Sequence, residues 1–220
     1  MENLQENIIP SSNQNSKDVF IHGNPGFKVL FLGNSITKHS PKPEVGWTND
    51  CGMAASSLEK DYVHVFMQKL RAVSPGASFA IAQVANFERG FLTHAPAEFF
   101  SAAQHYDPDV ILGFYGANVD KNYSTECPKG SFAAATRGLL EFLNPAGRAK
   151  VFLSGGFYIR PELDAEKQAL CAEKGYTYID LGDIPHRKET HGKFNHPSDL
   201  GMAEIAEVFW QAVKPLLGKQ

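Results

Sequence analysis

A serine follows the first apolar run of the chain, where KVLFLG leads into Asn34-Ser35-Ile36-Thr37. A serine in the turn that leaves a buried strand exposes its Oγ at the carboxyl edge of the sheet, and its backbone N–H can point at a developing oxyanion. Ser35 is therefore a candidate nucleophile. The same turn also fits two other interpretations, a polar residue used as a helix cap and a phosphate-binding loop of the flavodoxin kind.

Two further residues have side chains that complement a nucleophilic serine. Asn118 follows a glycine turn after the apolar run DVILGFYG, and its side-chain N–H can stabilise an oxyanion by roughly 3 kcal/mol. His196 precedes Pro197 and the last amphipathic stretch, and a histidine, with an ordinary pKa of about 6.5, can take the Ser35 proton and pass it to a leaving alcohol. Alone, either residue fits a turn or surface position, whereas together they predict acyl transfer. The other histidines, which we interpret as surface or partly buried residues, are His22, His39, His64, His94, His105, His186 and His191.

The elements that must position these residues alternate along the chain. The predicted strands are KVLFLG, SFAIAQVAN, DVILGFYG, AKVFLSG and YTYIDLG, and the predicted helices lie near 57–73, 96–105, 129–144, 161–174 and 198–214. Strands separated by helices require right-handed crossovers, which predict a parallel sheet covered on both faces. Ligands bind beyond the carboxyl ends of such strands, where the three candidate residues are expected. Ser56, three residues before Glu59, has the spacing of a capping box and predicts the start of the first helix.

Length and charge limit the domain organisation and the partners. A chain of 220 residues is long enough for one α/β core, so we expect a polar arm over 1–25 and a single domain over 26–220. The net charge of -3 comes from interspersed acids and bases, which argues against nucleic acid as a partner. The oligomeric state stays open.

The compartment is inferred from what the sequence shows at its start and from its cysteines. No apolar stretch approaches the roughly 20 residues that span a bilayer, and no signal-peptide pattern is visible, so we expect a soluble cytoplasmic protein without a membrane partner. A secreted or periplasmic chain whose signal had been removed would look the same. Cys51, Cys127 and Cys171 are widely spaced, which fits a reducing compartment and gives no metal-site spacing.

The order of these motifs resembles a known superfamily. Gly-Asn-Ser-Ile-Thr near the start, Gly-x-Asn after the third strand and His-Pro before the last helix are similar to the SGNH hydrolases, the GDSL-like lipases, acylhydrolases and esterases, over about Lys28 to Val213. The resemblance implies a flavodoxin-like three-layer α/β/α sandwich with a five-stranded parallel sheet, and ester hydrolysis without a metal or cofactor. It also implies roles: Ser35 as nucleophile and first oxyanion donor, Asn118 as oxyanion donor and His196 as base.

Two departures from the family pattern concern the serine turn and the oxyanion hole. Asn34 replaces the aspartate of the GDS motif, a near-isosteric change that we expect to preserve the turn. The family's glycine after the second strand follows an asparagine at a fixed interval, and here Asn86 is followed by Gly90. We take Gly90 as the second backbone donor of the oxyanion hole, with the backbone of Glu88 or Arg89 as substitutes.

A third departure concerns the acid of the triad. The family's Asp-x-x-His places an acid three residues before the base, but Lys193 occupies that position before His196. Fixing the tautomer of the base could pass to a backbone carbonyl near 193, which we favour, or to an acid from elsewhere. The candidate acids are Glu88, Asp180 and Asp183.

The substrate is inferred from the family and from aromatic side chains. The resemblance extends to Gly46-Trp47 and to a segment from Cys51 to His64 that begins CGMAAS, which we expect to border the pocket. We assign Trp47 and Tyr115 to the substrate pocket. Aromatic residues that could stack on a sugar face are Trp47, Phe87, Phe91, Tyr115 and Phe157.

The predicted activity is hydrolysis of a short acyl ester, with acetyl on a carbohydrate preferred, through an acyl-enzyme on Ser35. Thioesterase or lysophospholipase activity is an alternative. A non-catalytic carbohydrate- or small-molecule-binding protein is another, motivated by Lys193. A flavoprotein using the 33–37 turn as a phosphate cradle is a further one, but it would leave Asn118 and His196 unexplained.

Overall fold

A single mixed sheet forms the centre of the protein, for which a computed structural model describes residues 8–9, 19–22 and 26–219. The strands are β1 (Ile8–Ile9), β2 (Val19–His22), β3 (Lys28–Gly33), β4 (Ser78–Gln83), β5 (Val110–Phe114), β6 (Lys150–Ser154) and β7 (Thr177–Ile179). They lie in the order β1-β2-β4-β3-β5-β6-β7. The strands from β3 to β7 pair in parallel, and β1 and β2 extend one edge antiparallel.

The predicted fold class is confirmed, but the sheet has seven strands instead of five. The two additional strands, β1 and β2, lie in the segment that was expected to be a polar arm, and Phe20 of β2 pairs with Ile81 of β4. Val19 and Phe20 of β2, which pairs with β1 on one side and β4 on the other, are buried because their side chains join the cores on opposite faces of the sheet. The rest of that predicted arm, 1–7, 10–18 and 23–25, lies outside the described residues.

The helices cover both faces of the sheet. They are α1 (Tyr62–Val73), α2 (Ala85–Gly90), α3 (Pro96–Phe99), α4 (Ser101–Tyr106), α5 (Tyr123–Glu126), α6 (Ser131–Leu143), α7 (Pro161–Lys174) and α8 (Asp199–Val213). Short 3₁₀ turns lie at Pro43–Val45, Leu58–Lys60, Ile184–His186, Lys188–Thr190, Lys193–Asn195 and Lys214–Lys219. Helices α1 and α8 pack together on one face, and α3, α4, α6 and α7 cover the other.

Strand β3 illustrates why two cores form. Its side chains alternate between the faces of the sheet, so that Phe31 joins the core beneath α1 and α8 while Leu30 and Leu32 join the core beneath α6 and α7. Because both faces are buried, the strand is apolar along its length instead of alternating with polar residues.

Two details of the helices differ from the sequence predictions. The prediction of a capping box at Ser56 is wrong. Helix α1 begins at Tyr62 and its N-cap is Asp61, whose carboxylate accepts the backbone N–H of His64 at 2.8 Å. Ser56 instead donates its hydroxyl to Asp199 of α8 at 2.6 Å. The predicted strand SFAIAQVAN ends at Gln83, and the unpredicted helix α2 follows it directly.

The strand order locates a crevice. Numbered among themselves, the parallel strands have the order 2-1-3-4-5 that is typical of flavodoxin-like folds. The direction of winding reverses between β3 and β5, so the crevice for a ligand lies beyond Gly33 and Phe114. Among the described residues, no helix combines the length and apolar character needed to cross a bilayer.

Candidate active site

The serine turn leaves β3 at Gly33 and is held by local hydrogen bonds. Asn34 Oδ1 accepts the N–H of Ile36 at 3.1 Å, and the Asn34 carbonyl accepts the N–H of Thr37 at 2.9 Å. A Cβ on Gly33 would lie 1.7 Å from Thr37 Oγ1, so only glycine fits at the strand end. Ser35 is half-buried between buried neighbours, which leaves its side chain at the mouth of the crevice.

Ser35 and His196 are brought together from opposite ends of the domain. The Ser35 Oγ lies 2.7 Å from His196 Nε2, within hydrogen-bond distance. His196 lies in the loop before α8, which is tied back on itself because Gly192 donates its N–H to the His196 carbonyl at 2.6 Å. Ser198 then caps α8 through Gly201 N at 3.2 Å, so the loop enters the helix in a defined direction.

The other ring nitrogen of His196 determines its tautomer. Nδ1 lies 2.7 Å from the carbonyl oxygen of Phe194, and a carbonyl only accepts hydrogen bonds. Nδ1 therefore carries the hydrogen, and Nε2 is free to accept the hydroxyl proton of Ser35. Among the backbone groups near 193, the group facing the His196 ring is thus the Phe194 carbonyl.

The loop that supplies this carbonyl has an unusual backbone. Phe194 and Asn195 both have φ of 57°, a left-handed conformation that costs a non-glycine residue about 1–2 kcal/mol. Tyr158 stabilises the loop by donating its hydroxyl to the Asn195 carbonyl at 2.8 Å, and the same hydroxyl lies 3.4 Å from His196 Nδ1. Burial raises the pKa of Tyr158 to about 12, so its hydroxyl keeps its proton.

The acids that were predicted as possible partners of His196 make other contacts. Asp180 Oδ1 accepts the N–H of Gly182 at 2.9 Å, and Asp183 pairs with Arg187 at 3.5 Å. Glu88 contacts the serine turn and the turn after β5. Their assignment as orienting acids is wrong, because the short loop before His196 folds its own carbonyl onto Nδ1.

Glu88 is fully buried on α2 and links the two turns of the crevice. Its Oε1 accepts Asn34 Nδ2 at 2.9 Å and also the backbone N–H of Gly116, while its Oε2 accepts Asn118 Nδ2. Burial raises the pKa of Glu88, and the N–H donors from Asn118, Gly116 and Asn34 oppose that shift. A single carboxylate thus connects the residue before Ser35 with the candidate oxyanion donor.

Asn118 is linked to the serine turn through this carboxylate, to which Asn34 also donates. Its Oδ1 accepts a hydrogen bond from Arg89 NH2 at 3.2 Å. Among the described residues, Asn118 Nδ2 has one partner, Glu88, and an amide nitrogen carries two hydrogens. The second N–H remains for a ligand oxygen.

Gly90 does not fit its predicted position in the oxyanion hole. It is the last residue of α2, which begins two residues after β4 ends. In an α-helix the N–H points back toward the carbonyl four residues earlier, so helix formation directs the Gly90 N–H into the helix instead of into the crevice. The assignment of Gly90 as a donor is therefore wrong.

The two predicted pocket residues lie in different surroundings. Trp47 is buried, donates Nε1 to the His39 carbonyl at 3.1 Å and packs edge-on against Phe194, with ring centroids 6.3 Å apart. It lines a cavity with the segments 46–49, 54–56, 192–194 and 198–200. Tyr115 instead points into the core, with its ring 6.2 Å from Phe87, so its assignment to the pocket is wrong.

The aromatic side chains that were predicted to stack on a sugar are all in the interior. Their exposure is 8% or less, because they fill the two cores that flank the sheet: Trp47, Phe87, Phe91, Tyr115 and Phe157. The CGMAAS segment does lie beside the serine turn, since Met53 donates its N–H to the Ser35 carbonyl at 2.8 Å. Ala54 to Ser56 continue from there along the cavity that Trp47 lines.

The pKa of His196 is lowered from its ordinary value mainly because the ring is buried. The hydrogen bond to the Phe194 carbonyl opposes this shift, and the charge of His39 adds to it. A lowered pKa keeps the imidazole neutral at physiological pH, which is the form that accepts a proton from a hydroxyl.

Sequence reasoning missed Tyr158 and the side-chain contact of Arg89 with Asn118, and it favoured a backbone carbonyl near 193 without identifying the one of Phe194. Tyr158 contacts His196, 38 residues away in the sequence, and Arg89 contacts Asn118, 29 residues away. No local sequence pattern reveals contacts over such separations. Lys193 in place of an acid was the available signal for Phe194, because it indicates that the loop itself must supply the partner of the base.

Several solved structures share this fold. A family two carbohydrate esterase from Clostridium thermocellum matches with a TM-score of 0.58 and 16% identity, over 88% of this chain and 65% of that chain. A Bacteroides uniformis protein classed with the GDSL-like lipases matches with a TM-score of 0.57 and 19% identity, over 86% and 96%. Est24, a carbohydrate acetylesterase from Sinorhizobium meliloti, matches with a TM-score of 0.60 and 16% identity, over 86% and 99%.

These likenesses show the fold. The chain has the three-layer fold of the SGNH hydrolases, to which GDSL-like lipases and family two carbohydrate esterases belong. It spans about two thirds of the length of the Clostridium thermocellum esterase. Neither the protein-family models nor the curated protein sequences give a match.

Proposed function

We propose that this protein is a serine esterase in which Ser35 is the nucleophile and His196 the general base. The observation that carries the proposal is the 2.7 Å approach of Ser35 Oγ to His196 Nε2 at the switch point of the sheet. The Phe194 carbonyl supports it by holding His196 in the tautomer that accepts a proton. The esterases and lipases among the structural neighbours support the same class of reaction.

The reaction has two acyl-transfer steps. Ser35 Oγ attacks the ester carbonyl carbon while its proton passes to His196 Nε2, and the carbonyl oxygen becomes an oxyanion. Collapse of this intermediate breaks the bond to the alcohol, which leaves with the proton from His196. A water molecule then attacks the acyl-enzyme, His196 takes its proton, and the carboxylate product leaves as Ser35 regains a proton.

The oxyanion is stabilised by the Ser35 backbone N–H and the free N–H of Asn118 Nδ2 in this mechanism. Each such donor lowers the barrier by about 3 kcal/mol in a site from which water is excluded. Lys193 at the position of the triad acid does not prevent the reaction, because a neutral carbonyl also stabilises the imidazolium through its dipole. The two acyl-transfer steps of this mechanism use the side chains and backbone groups named above and need no metal ion.

The substrate that we propose is a short acyl ester of a carbohydrate, with acetyl as the preferred acyl group. The carbohydrate esterase and carbohydrate acetylesterase among the neighbours support it. The cavity beside His196 adds polar groups suited to hydroxyl-rich ligands, including Thr48, Asn49 and Ser56. The buried aromatic residues offer no stacking platform, so recognition by hydrogen bonds is the expected mode.

Hydrolysis of p-nitrophenyl acetate and of acetylated xylose by wild type and Ser35→Ala tests this function. We expect wild-type turnover and loss of about 10³-fold or more in kcat for the variant. Ser124→Ala, which changes an exposed serine on α5, is the matched control and should keep wild-type rates. Equal rates in wild type and Ser35→Ala, or no turnover of acetyl, thio- and longer acyl esters, would favour a non-catalytic binding protein.

A further inference from the structure

Glu88 faces hydrogen-bond donors on every side that the described contacts show. The donors are the side-chain amides of Asn34 and Asn118 and the backbone N–H of Gly116. An ionised carboxylate accepts and never donates, so this surrounding matches the charged form of the group. A fully buried carboxylate costs several kcal/mol to desolvate, and its position between the two turns of the crevice indicates a specific task.

The amide of Asn118 is held from both ends. Its nitrogen meets the Glu88 carboxylate, and its oxygen meets the Arg89 guanidinium at 3.2 Å. A flipped amide would place oxygen against carboxylate and nitrogen against guanidinium, so only one orientation satisfies both partners. Glu88 and Arg89 are adjacent on α2, which explains how one short helix contacts both ends.

The free N–H of Asn118 Nδ2 depends on this orientation. One hydrogen of the nitrogen is directed at Glu88, which fixes the direction of the other within the plane of the amide. An oxyanion donor is effective when its direction is set before the charge develops, since no reorganisation is then needed.

We propose that Glu88 and Arg89 are positioning residues that hold the Asn118 amide as an oxyanion donor, an inference that rests on the proposed esterase function. They do not contact the reacting atoms themselves. Glu88 also holds the Asn34 side chain, so that the nucleophile turn and the oxyanion donor are set relative to one another through a single carboxylate.

This role explains the asparagine at position 34. An aspartate there would place a second carboxylate at the 2.9 Å contact with Glu88 Oε1. Two carboxylates at this distance repel each other unless one takes up a proton. In this chain the buried carboxylate next to the serine turn is that of Glu88 on α2.

Kinetics of Glu88→Gln, Arg89→Ala and Asn118→Ala, alone and combined, test the proposal on p-nitrophenyl acetate. Asn118→Ala should lower kcat by about 10²-fold, the effect of losing one oxyanion donor, and Glu88→Gln by about 10-fold to 10²-fold, both with KM nearly unchanged. Arg89→Ala removes the hydrogen bond to Asn118 Oδ1, together with a second one to Asn86 Oδ1 at 3.0 Å, and should lower kcat by about 3-fold to 10-fold. Lys121→Ala, an exposed cation on the turn after β5, is the control and should keep wild-type kinetics.

Combination with Asn118→Ala separates positioning from a structural role. If Arg89 acts through Asn118, Arg89→Ala adds less than about threefold in the Asn118→Ala background. Glu88→Gln keeps only the part of its effect that runs through Asn34, so its loss of kcat is smaller in that background than in wild type. Losses that multiply fully, or wild-type kcat in folded Glu88→Gln and Arg89→Ala, overturn the proposal. Thermal unfolding of each variant is measured beside its kinetics. If Glu88→Gln does not fold, the double-mutant cycle is measured with Arg89→Ala and Asn118→Ala alone, since Arg89 is exposed.

Labelling of Ser35 by a fluorophosphonate distinguishes failure of this proposal from failure of the proposed function. Reaction of wild type but not Ser35→Ala supports the esterase mechanism, and slower labelling of Glu88→Gln then supports positioning. Unchanged labelling of Glu88→Gln overturns positioning alone. Absence of both labelling and ester turnover in wild type overturns the esterase function and this inference with it.

Discussion

His196 Nδ1 lies 2.7 Å from the carbonyl oxygen of Phe194, two residues earlier in the same loop. A backbone dipole here faces the base of the candidate site, where the SGNH motif has a carboxylate. The geometry still fixes the tautomer, but a dipole stabilises an imidazolium less than a full negative charge does. The proton affinity of the base is therefore set mainly by burial.

The pH dependence of ester hydrolysis follows from this environment. Burial lowers the pKa of His196 from its ordinary value of about 6.5, and the base acts in its neutral form. Activity should thus be full above that ordinary value and fall only when acidification protonates the ring, at a pH below about 6.5. A profile of kcat/KM between pH 4.5 and 9 measures it. An inflection above pH 7 would show that a carboxylate, and not a carbonyl, governs the base.

Introducing an acid at position 193, where the family pattern has an aspartate, should change kcat little. In Lys193→Asp the Phe194 carbonyl still occupies the hydrogen-bonding side of Nδ1, so we expect kcat to change by less than about threefold. Lys188→Asp, on another exposed turn, controls for the change of net charge. A gain of 10-fold or more in Lys193→Asp alone would mean that the loop rearranges to admit the carboxylate.

The Tyr158 hydroxyl is expected to matter for catalysis through the loop that it holds. Tyr158→Phe keeps the ring but removes the hydrogen bond to the Asn195 carbonyl, which we expect to lower kcat by about 3-fold to 10-fold. Steady-state kinetics of this variant beside Tyr176→Phe, a partly exposed tyrosine outside the candidate site, measures the effect. Equal losses in both variants, or none in Tyr158→Phe, would rule out this role.

Asn34→Asp tests the charge balance between the serine turn and α2. The new carboxylate would contact Glu88, so we expect a loss of about 1–3 kcal/mol in the free energy of unfolding at pH 8. Repulsion raises the folded-state pKa of the pair above its unfolded value, so folding takes up a proton and the loss should shrink as the pH falls toward 5.

Urea unfolding at pH 8 and pH 5 measures this effect. Asn122→Asp is the matched control, because Asn122 also donates to a glutamate, Glu126 at 3.1 Å, but at an exposed site where solvent screens the repulsion. Equal losses at both positions, or no pH dependence for Asn34→Asp, would contradict a buried carboxylate at Glu88.

The sequence by itself determined the class of fold and the two residues that meet at its edge. Apolar runs at regular intervals predicted the parallel strands and most of the long helices, since a strand buried on both faces and an amphipathic helix each have a period that a sequence displays. Ser35 and His196 were predicted because a turn after a strand and a loop before the last helix each lie at the carboxyl edge of a parallel sheet. Their contact at 2.7 Å agrees with that reasoning.

Only the tertiary structure decided what surrounds those two residues. Glu88, Tyr115 and Gly90 were assigned to catalytic or pocket positions, but whether a side chain faces a crevice or a core depends on where a strand ends and a helix begins. Strand β4 ends at Gln83, earlier than its apolar run suggests, and α2 then turns Glu88 inward and takes up the N–H of Gly90. Hydrogen-bond partners such as Phe194 for His196 are selected by loop geometry, because every residue carries the same carbonyl and the sequence does not say which one the backbone will place at the ring.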